Sequence, residues 1–120
     1  MIISQTPMKS STQSEICRLT VYLGEDKMNV DQPLFKSIVQ EAKAMHIAGA
    51  TVIRGSAGYG RSTRMHTSDV LFSHDLPILV EIVDVAAKIE PLIQRLTQRT
   101  DIGLMTCETV QVFGWQVPDS

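Results

Sequence analysis

Basic charge, aromatic rings and long apolar runs are all scarce in this chain of 120 residues. Eleven lysines and arginines stand against thirteen aspartates and glutamates, for a formal net charge of −2. That balance excludes a general electrostatic grip on nucleic acid, which needs a basic face. Aromatics make up 5% of the sequence, too few for a platform that stacks single-stranded bases. No apolar run approaches the roughly 20 residues of a membrane span, so direct membrane insertion is not expected. Met1 to Glu15 is polar and lacks the basic start and apolar stretch of a secretory signal. The composition reads as a soluble cytoplasmic protein of one domain, with enough chain to bury a core without metal or disulfide staples.

Cysteine is equally sparse. Cys17 and Cys107 are far apart, and neither has a second cysteine or a histidine at ligand spacing, which argues against a zinc site built on them. Each reads as a reduced, buried thiol in its own strand.

Residues 1–15 are rich in Ser, Thr and Gln without a sustained apolar period and read as a disordered tail. The domain is expected over 16–114, with a short C-terminal tail over 115–120. Cys17, Leu19, Val21 and Leu23 alternate with Arg18, Thr20 and Tyr22, the period of a strand. Asp31 and Pro33 mark a helix start, and Leu34, Phe35, Ile38, Val39, Ala42 and Met45 form a helical stripe ended by Gly49. Ala50 to Arg54 is strand-like. Pro77 opens the apolar run Ile78 to Val83, another strand, closed by Asp84. Val85, Ile89, Leu92, Ile93 and Leu96 make a second stripe, in which Pro91 removes one backbone bond. Leu104 to Phe113 reads as a last strand.

The order β-α-β-β-α-β predicts an α+β, ferredoxin-like antiparallel sheet with two helices on one face. In that topology Cys17 and Cys107 are expected at opposite ends of the sheet, too far apart for a disulfide. The other sheet face, with Arg18, Thr20, Tyr22 and Glu81, is mixed in polarity, which suggests cover by another copy of the chain.

About 20 residues separate the third strand from the second, where hairpin loops usually have 2–5. Three glycines, Gly55, Gly58 and Gly60, allow close backbone approach to a ligand, and Arg54, Arg61 and Arg64 supply forked donors for phosphate or carboxylate. His66, Asp69, His74 and Asp75 match no tight metal motif, so no metal site is assigned. There is no nucleophile elbow for a catalytic triad. Glu81 and Asp84 could serve as a base, but read more simply as an ion-pair partner and a helix cap. The residues favour a ligand-responsive binding module over an enzyme.

Leu19 to Leu34, Ala48 to Gly55, Gly58 to Gly60, Asp75 to Pro77 and Glu81 to Asp84 together resemble the PII-like proteins, and more closely their branch known as a domain of unknown function. The resemblance implies a PII-like fold in a homotrimer, with a small-molecule effector, mostly an adenine nucleotide, bound in clefts between subunits. It implies that Gly58, Tyr59, Gly60 and Arg61 approach phosphates at the loop base. It also implies that Arg99 and Gly103, in the connection after the second helix, line the same cleft. The loop 55–75, with Arg64 and His66, would grip a partner such as a transporter or enzyme. The connection Arg99 to Leu104 has one glycine and no lysine, unlike the phosphate loop of signalling PII proteins. A less charged nucleotide, another small anion or no ligand would fit such a connection. A trimeric divalent-metal-binding protein of the copper-tolerance type, resting on His66, His74 and the loop carboxylates, has the same architecture and is the alternative.

Overall fold

The computed structural model describes residues 15–58, 76–99 and 102–115. Strand β1 (Ile16–Gly24) is followed by two short strands, β2 (Met28–Asn29) and β3 (Gln32–Pro33), and by helix α1 (Leu34–Ala44). Strands β4 (Gly49–Arg54) and β5 (Pro77–Val85), helix α2 (Ala86–Thr97) and strand β6 (Leu104–Val110) complete the order. The main sheet is antiparallel with the strand order β4-β5-β1-β6. This is the expected ferredoxin-like arrangement, with a small β2–β3 hairpin added ahead of α1.

The alternation read in β1 sets the two faces. Leu19, Val21 and Leu23 pair with Ile82, Val80 and Ile78, and all six are fully buried. They meet Leu34, Ile38 and Ala42 of α1 and Ile89, Leu92 and Leu96 of α2 in one core. Each helix thus buries the stripe its period of 3.6 dictates. Burying each of these side chains contributes about 1.5–3 kcal/mol. The core sits over the two central strands. Every residue of β4 is exposed, as is most of β6.

Both ends of α1 differ from the sequence expectation. Asp31 does not cap it. The residue before the helix is Pro33, with no side-chain cap, and Leu34 N donates instead to Lys27 O at 2.7 Å. The turn of the hairpin holds Val30 at a φ of 59°, a left-handed conformation that is uncommon for a β-branched side chain. At the other end His46, not Gly49, takes the left-handed position, with φ 62°. His46 N donates to Lys43 O and Ile47 N to Ala42 O, the two bonds of a Schellman motif. Gly49 instead opens β4.

The register corrects the placement of the cysteines. Ile16–Tyr22 pairs with the whole of β6, so Leu19 faces Cys107 and Cys17 faces Thr109. Cys107 lies in mid-strand and two places from the partner of Cys17, on the same face, rather than at the opposite end of the sheet. It is also exposed, whereas Cys17 is buried, as expected.

Candidate functional site

One end of the sheet gathers the connections that the sequence marks as chemically interesting. Gly24 pairs with Pro77, Tyr22 with Leu104, and Arg54 with Ile78. The ends of β1 and β4 and the starts of β5 and β6 therefore lie together. From this end the chain leaves β4 into residues 55–75 and returns into β5.

Both feet of that segment are fixed by backbone bonds. Gly55 N donates to Pro77 O at 2.8 Å, and Glu25 N donates to Leu76 O at 2.7 Å. A Cβ on Gly55 would stand 2.8 Å from Pro77 Cγ, and one on Gly58 would stand 3.2 Å from the same atom. At Gly55 the close approach of the proline ring leaves no room for a side chain, and at Gly58 the same ring leaves a tight fit. Arg54, expected to offer its fork to an anion, is joined instead to Glu25: its Nε donates to Glu25 Oε2 at 2.9 Å, with Nη2 at 2.6 Å. In the sequence Glu25 is visible only as part of a strand break. Its role as a clamp on the loop base depends on a fold contact that no local pattern announces.

The connection after α2 reaches the same end of the sheet at the other edge. Arg99 Nη2 donates to Asn29 Oδ1 at 3.1 Å, tying the end of α2 to the β2–β3 hairpin. Asn29 and Gln32 in turn donate to Ser37 Oγ, each at 2.9 Å, and Gln32 also donates to Gln40 Oε1. Gly103 is exposed immediately before β6. Three interstrand spacings of about 4.8 Å separate β4 from β6, so the two edges at this end of the sheet stand roughly 14 Å apart. Tyr59, Gly60, Arg61, Arg64 and His66 lie outside the described residues.

The face of the sheet away from the helices is laid out in cross-strand rows. Ile53, Leu79, Tyr22 and Leu104 form an apolar row at the loop end. Ile53 is 42% exposed and Leu104 55%. Thr51, Glu81, Thr20 and Thr106 form the next row, and Gly49, Val83, Arg18 and Glu108 the one after. Arg18 donates to Glu108, and that bond holds its guanidinium charged beyond its ordinary range. Its Nε is buried with no partner among the described residues. Glu81, expected as an ion-pair partner on this face, is not the carboxylate that Arg18 bonds.

Asp84 is not the side-chain cap of α2, whose capping residue is Val85 with no side-chain bond. Its buried carboxylate accepts from Ala48 N at 2.9 Å and Val85 N at 2.6 Å, joining the entry of β4 to the end of β5. Among the described residues no group of three or more His, Cys, Asp or Glu is placed to hold a metal ion, and no helix is long and apolar enough to cross a membrane.

Residues 16–112 match the family DUF190, described as an uncharacterized ACR. A UPF0166 protein of Aquifex aeolicus (strain VF5) is 32% identical over 96 residues, covering 79% of this chain and 90% of that protein. A PII-like protein from Thermus thermophilus has a similar structure, with a TM-score of 0.59 at 20% identity over 82% of this chain and 90% of that one. CPII, a nitrogen regulatory PII-like protein from Thiomonas intermedia K12 bound to ADP, AMP and bicarbonate, gives a TM-score of 0.59 at 15% identity. That likeness covers 82% of this chain and 88% of CPII.

Proposed function

This chain belongs to the DUF190 family and has the PII-like fold, and from that premise we propose that it is a regulatory protein with no catalysis of its own. It binds a small-molecule effector, an adenine nucleotide foremost, in clefts between the copies of a homotrimer. The loop 55–75 then controls a partner protein, a transporter or an enzyme. The assembly works in the cytoplasm without entering a membrane or binding nucleic acid.

The observation that carries this reading is the division of the candidate site between two edges of one sheet end. Gly55 directly follows β4 at one edge, whereas Gly103 directly precedes β6 at the other. A head-to-tail ring brings unlike edges of neighbouring copies together, and a site split in this way is completed by such a contact. The apolar row of Ile53, Leu79, Tyr22 and Leu104 supports cover of the open face by further copies. By resemblance to PII-like proteins, Tyr59, Gly60 and Arg61 complete the phosphate contacts, and Arg64 and His66 face the partner. CPII carries ADP, AMP and bicarbonate, which makes these the first ligands to try.

Ligand acts by contacting two loop states unequally. The coupling passed to a partner is bounded by that difference, typically about 1–3 kcal/mol. Titration calorimetry with ADP, AMP, ATP and bicarbonate, beside mass measurement by light scattering, tests the reading. A trimer that binds nucleotide, and an Arg61→Ala variant that keeps the trimer but loses the nucleotide, are expected. Ile53→Glu should break the trimer and abolish nucleotide binding together. A monomeric wild type, or nucleotide binding undiminished in monomeric Ile53→Glu, would overturn the shared-cleft assignment.

A further inference from the structure

The fold brings the two cysteines of this chain side by side. Cys107 faces Leu19 and Cys17 faces Thr109, so the two lie diagonally across the β1–β6 pair on the helix-facing side. Both are free, Cys17 buried and Cys107 open to solvent at the sheet edge. Burial is the main cause that pushes the Cys17 thiol up from its ordinary range, and the neighbouring Cys107 adds to it.

Spacing decides what the pair can hold. Diagonal neighbours across antiparallel strands have Cα atoms about 7–8 Å apart. A disulfide usually needs about 4.4–6.8 Å and sulfurs in direct bond. A metal–thiolate bond of about 2.3 Å lets an ion between two sulfurs hold them roughly 4–5 Å apart. Among the described residues no third His, Cys, Asp or Glu completes a group. Two sulfurs alone do not supply the four ligands of a structural zinc site, and soft thiolates select Cu(I).

We propose that Cys17 and Cys107 form a two-thiolate site for a soft monovalent cation of the Cu(I) class, separate from the nucleotide cleft. Each thiol gives its proton to solvent, two S–H bonds break and two metal–sulfur bonds form, with no change of oxidation state. Cys107 provides entry from solvent, and buried Cys17 keeps one side of the ion away from water. The site stands on the β1–β6 register and does not depend on the effector reading.

Anaerobic titration of the full chain with Cu(I), against a chromophoric Cu(I) chelator, measures stoichiometry, and native mass spectrometry identifies the species. The expected result is one copper per chain, lost in Cys17→Ala and in Cys107→Ser, and retained in His66→Ala. Circular dichroism of each variant establishes that it is folded, and Cys107→Ser, at an exposed position, keeps the test valid if Cys17→Ala unfolds. Copper retained in folded Cys107→Ser, copper lost in His66→Ala, or no copper bound by wild type would each overturn the proposal. A copper-free species two hydrogens lighter, formed in place of the copper complex, would assign the pair to a disulfide instead.

Discussion

A single methyl group added to Gly55 tests how the loop base is built. The new Cβ would stand 2.8 Å from Pro77 Cγ and 3.6 Å from both Pro77 Cβ and Pro77 O. The ring belongs to β5, where Pro77 pairs with Gly24, so it is held by the sheet and cannot swing aside like the tip of a long side chain. Overpacking of this kind costs about 1–3 kcal/mol. Losing a glycine from the unfolded chain offsets about 0.4–1 kcal/mol of that. Gly55→Ala should therefore destabilise the domain by about 1–2 kcal/mol. For a domain near this size that lowers Tm by roughly 4–16 °C. Scanning calorimetry at one fixed protein concentration is the assay, because association would make Tm depend on concentration. Pro77→Ala removes the obstructing Cγ, so the double variant Gly55→Ala/Pro77→Ala should be more stable than the sum of the two single effects. Contacting residues couple by about 0.5–3 kcal/mol, and a coupling in that range is expected here. A Tm that rises in Gly55→Ala, or a double variant that is simply additive, would refute the close approach as the reason for glycine at this position.

Asp84→Asn replaces one accepting oxygen of a buried carboxylate by an amide that donates, and either Ala48 N or Val85 N loses its acceptor. A hydrogen bond to a charged group contributes about 1.5–3 kcal/mol, so the urea midpoint should fall by a matching amount with an unchanged slope. An unmoved midpoint would mean that this link between β4 and β5 contributes little. Val30→Asn acts in the other direction. Val30 is 93% exposed and left-handed, so nothing packed is lost, and asparagine tolerates that backbone better. A gain of about 1 kcal/mol in thermal unfolding is expected, and a lower Tm would contradict the strain assigned to the hairpin turn.

The parts of the fold legible in the sequence are those with a repeating period and a covered face. Leu19, Val21 and Leu23 announce β1 because every second residue meets the helices. Leu34, Ile38 and Ala42 announce α1 for the corresponding reason at helical spacing. The β2–β3 hairpin is too short for any period, and it ends on Pro33, so its residues read as a helix start. His46 carries the left-handed turn without the glycine that would have marked it. The meeting of Cys17 with Cys107 depends on the register between strands that are remote in sequence, which neither strand encodes alone. At the candidate site, the placing of Gly55 and Gly103 at one end of the sheet follows from sequence and topology. The Glu25–Arg54 clamp and the Arg99–Asn29 link do not, because each joins segments that share no local pattern.

The two backbone bonds at the feet of the long loop have a consequence for its length. Closing a chain between fixed ends costs entropy that grows only as the logarithm of the number of residues, so about 20 residues in place of four add roughly 1.4 kcal/mol. The feet at Gly55–Pro77 and Glu25–Leu76 meet that cost within the sheet, before any residue of the loop makes a contact of its own. Length and reach of the segment between them are thus nearly free variables, and one scaffold can carry arms of different span without a change in how its sheet folds.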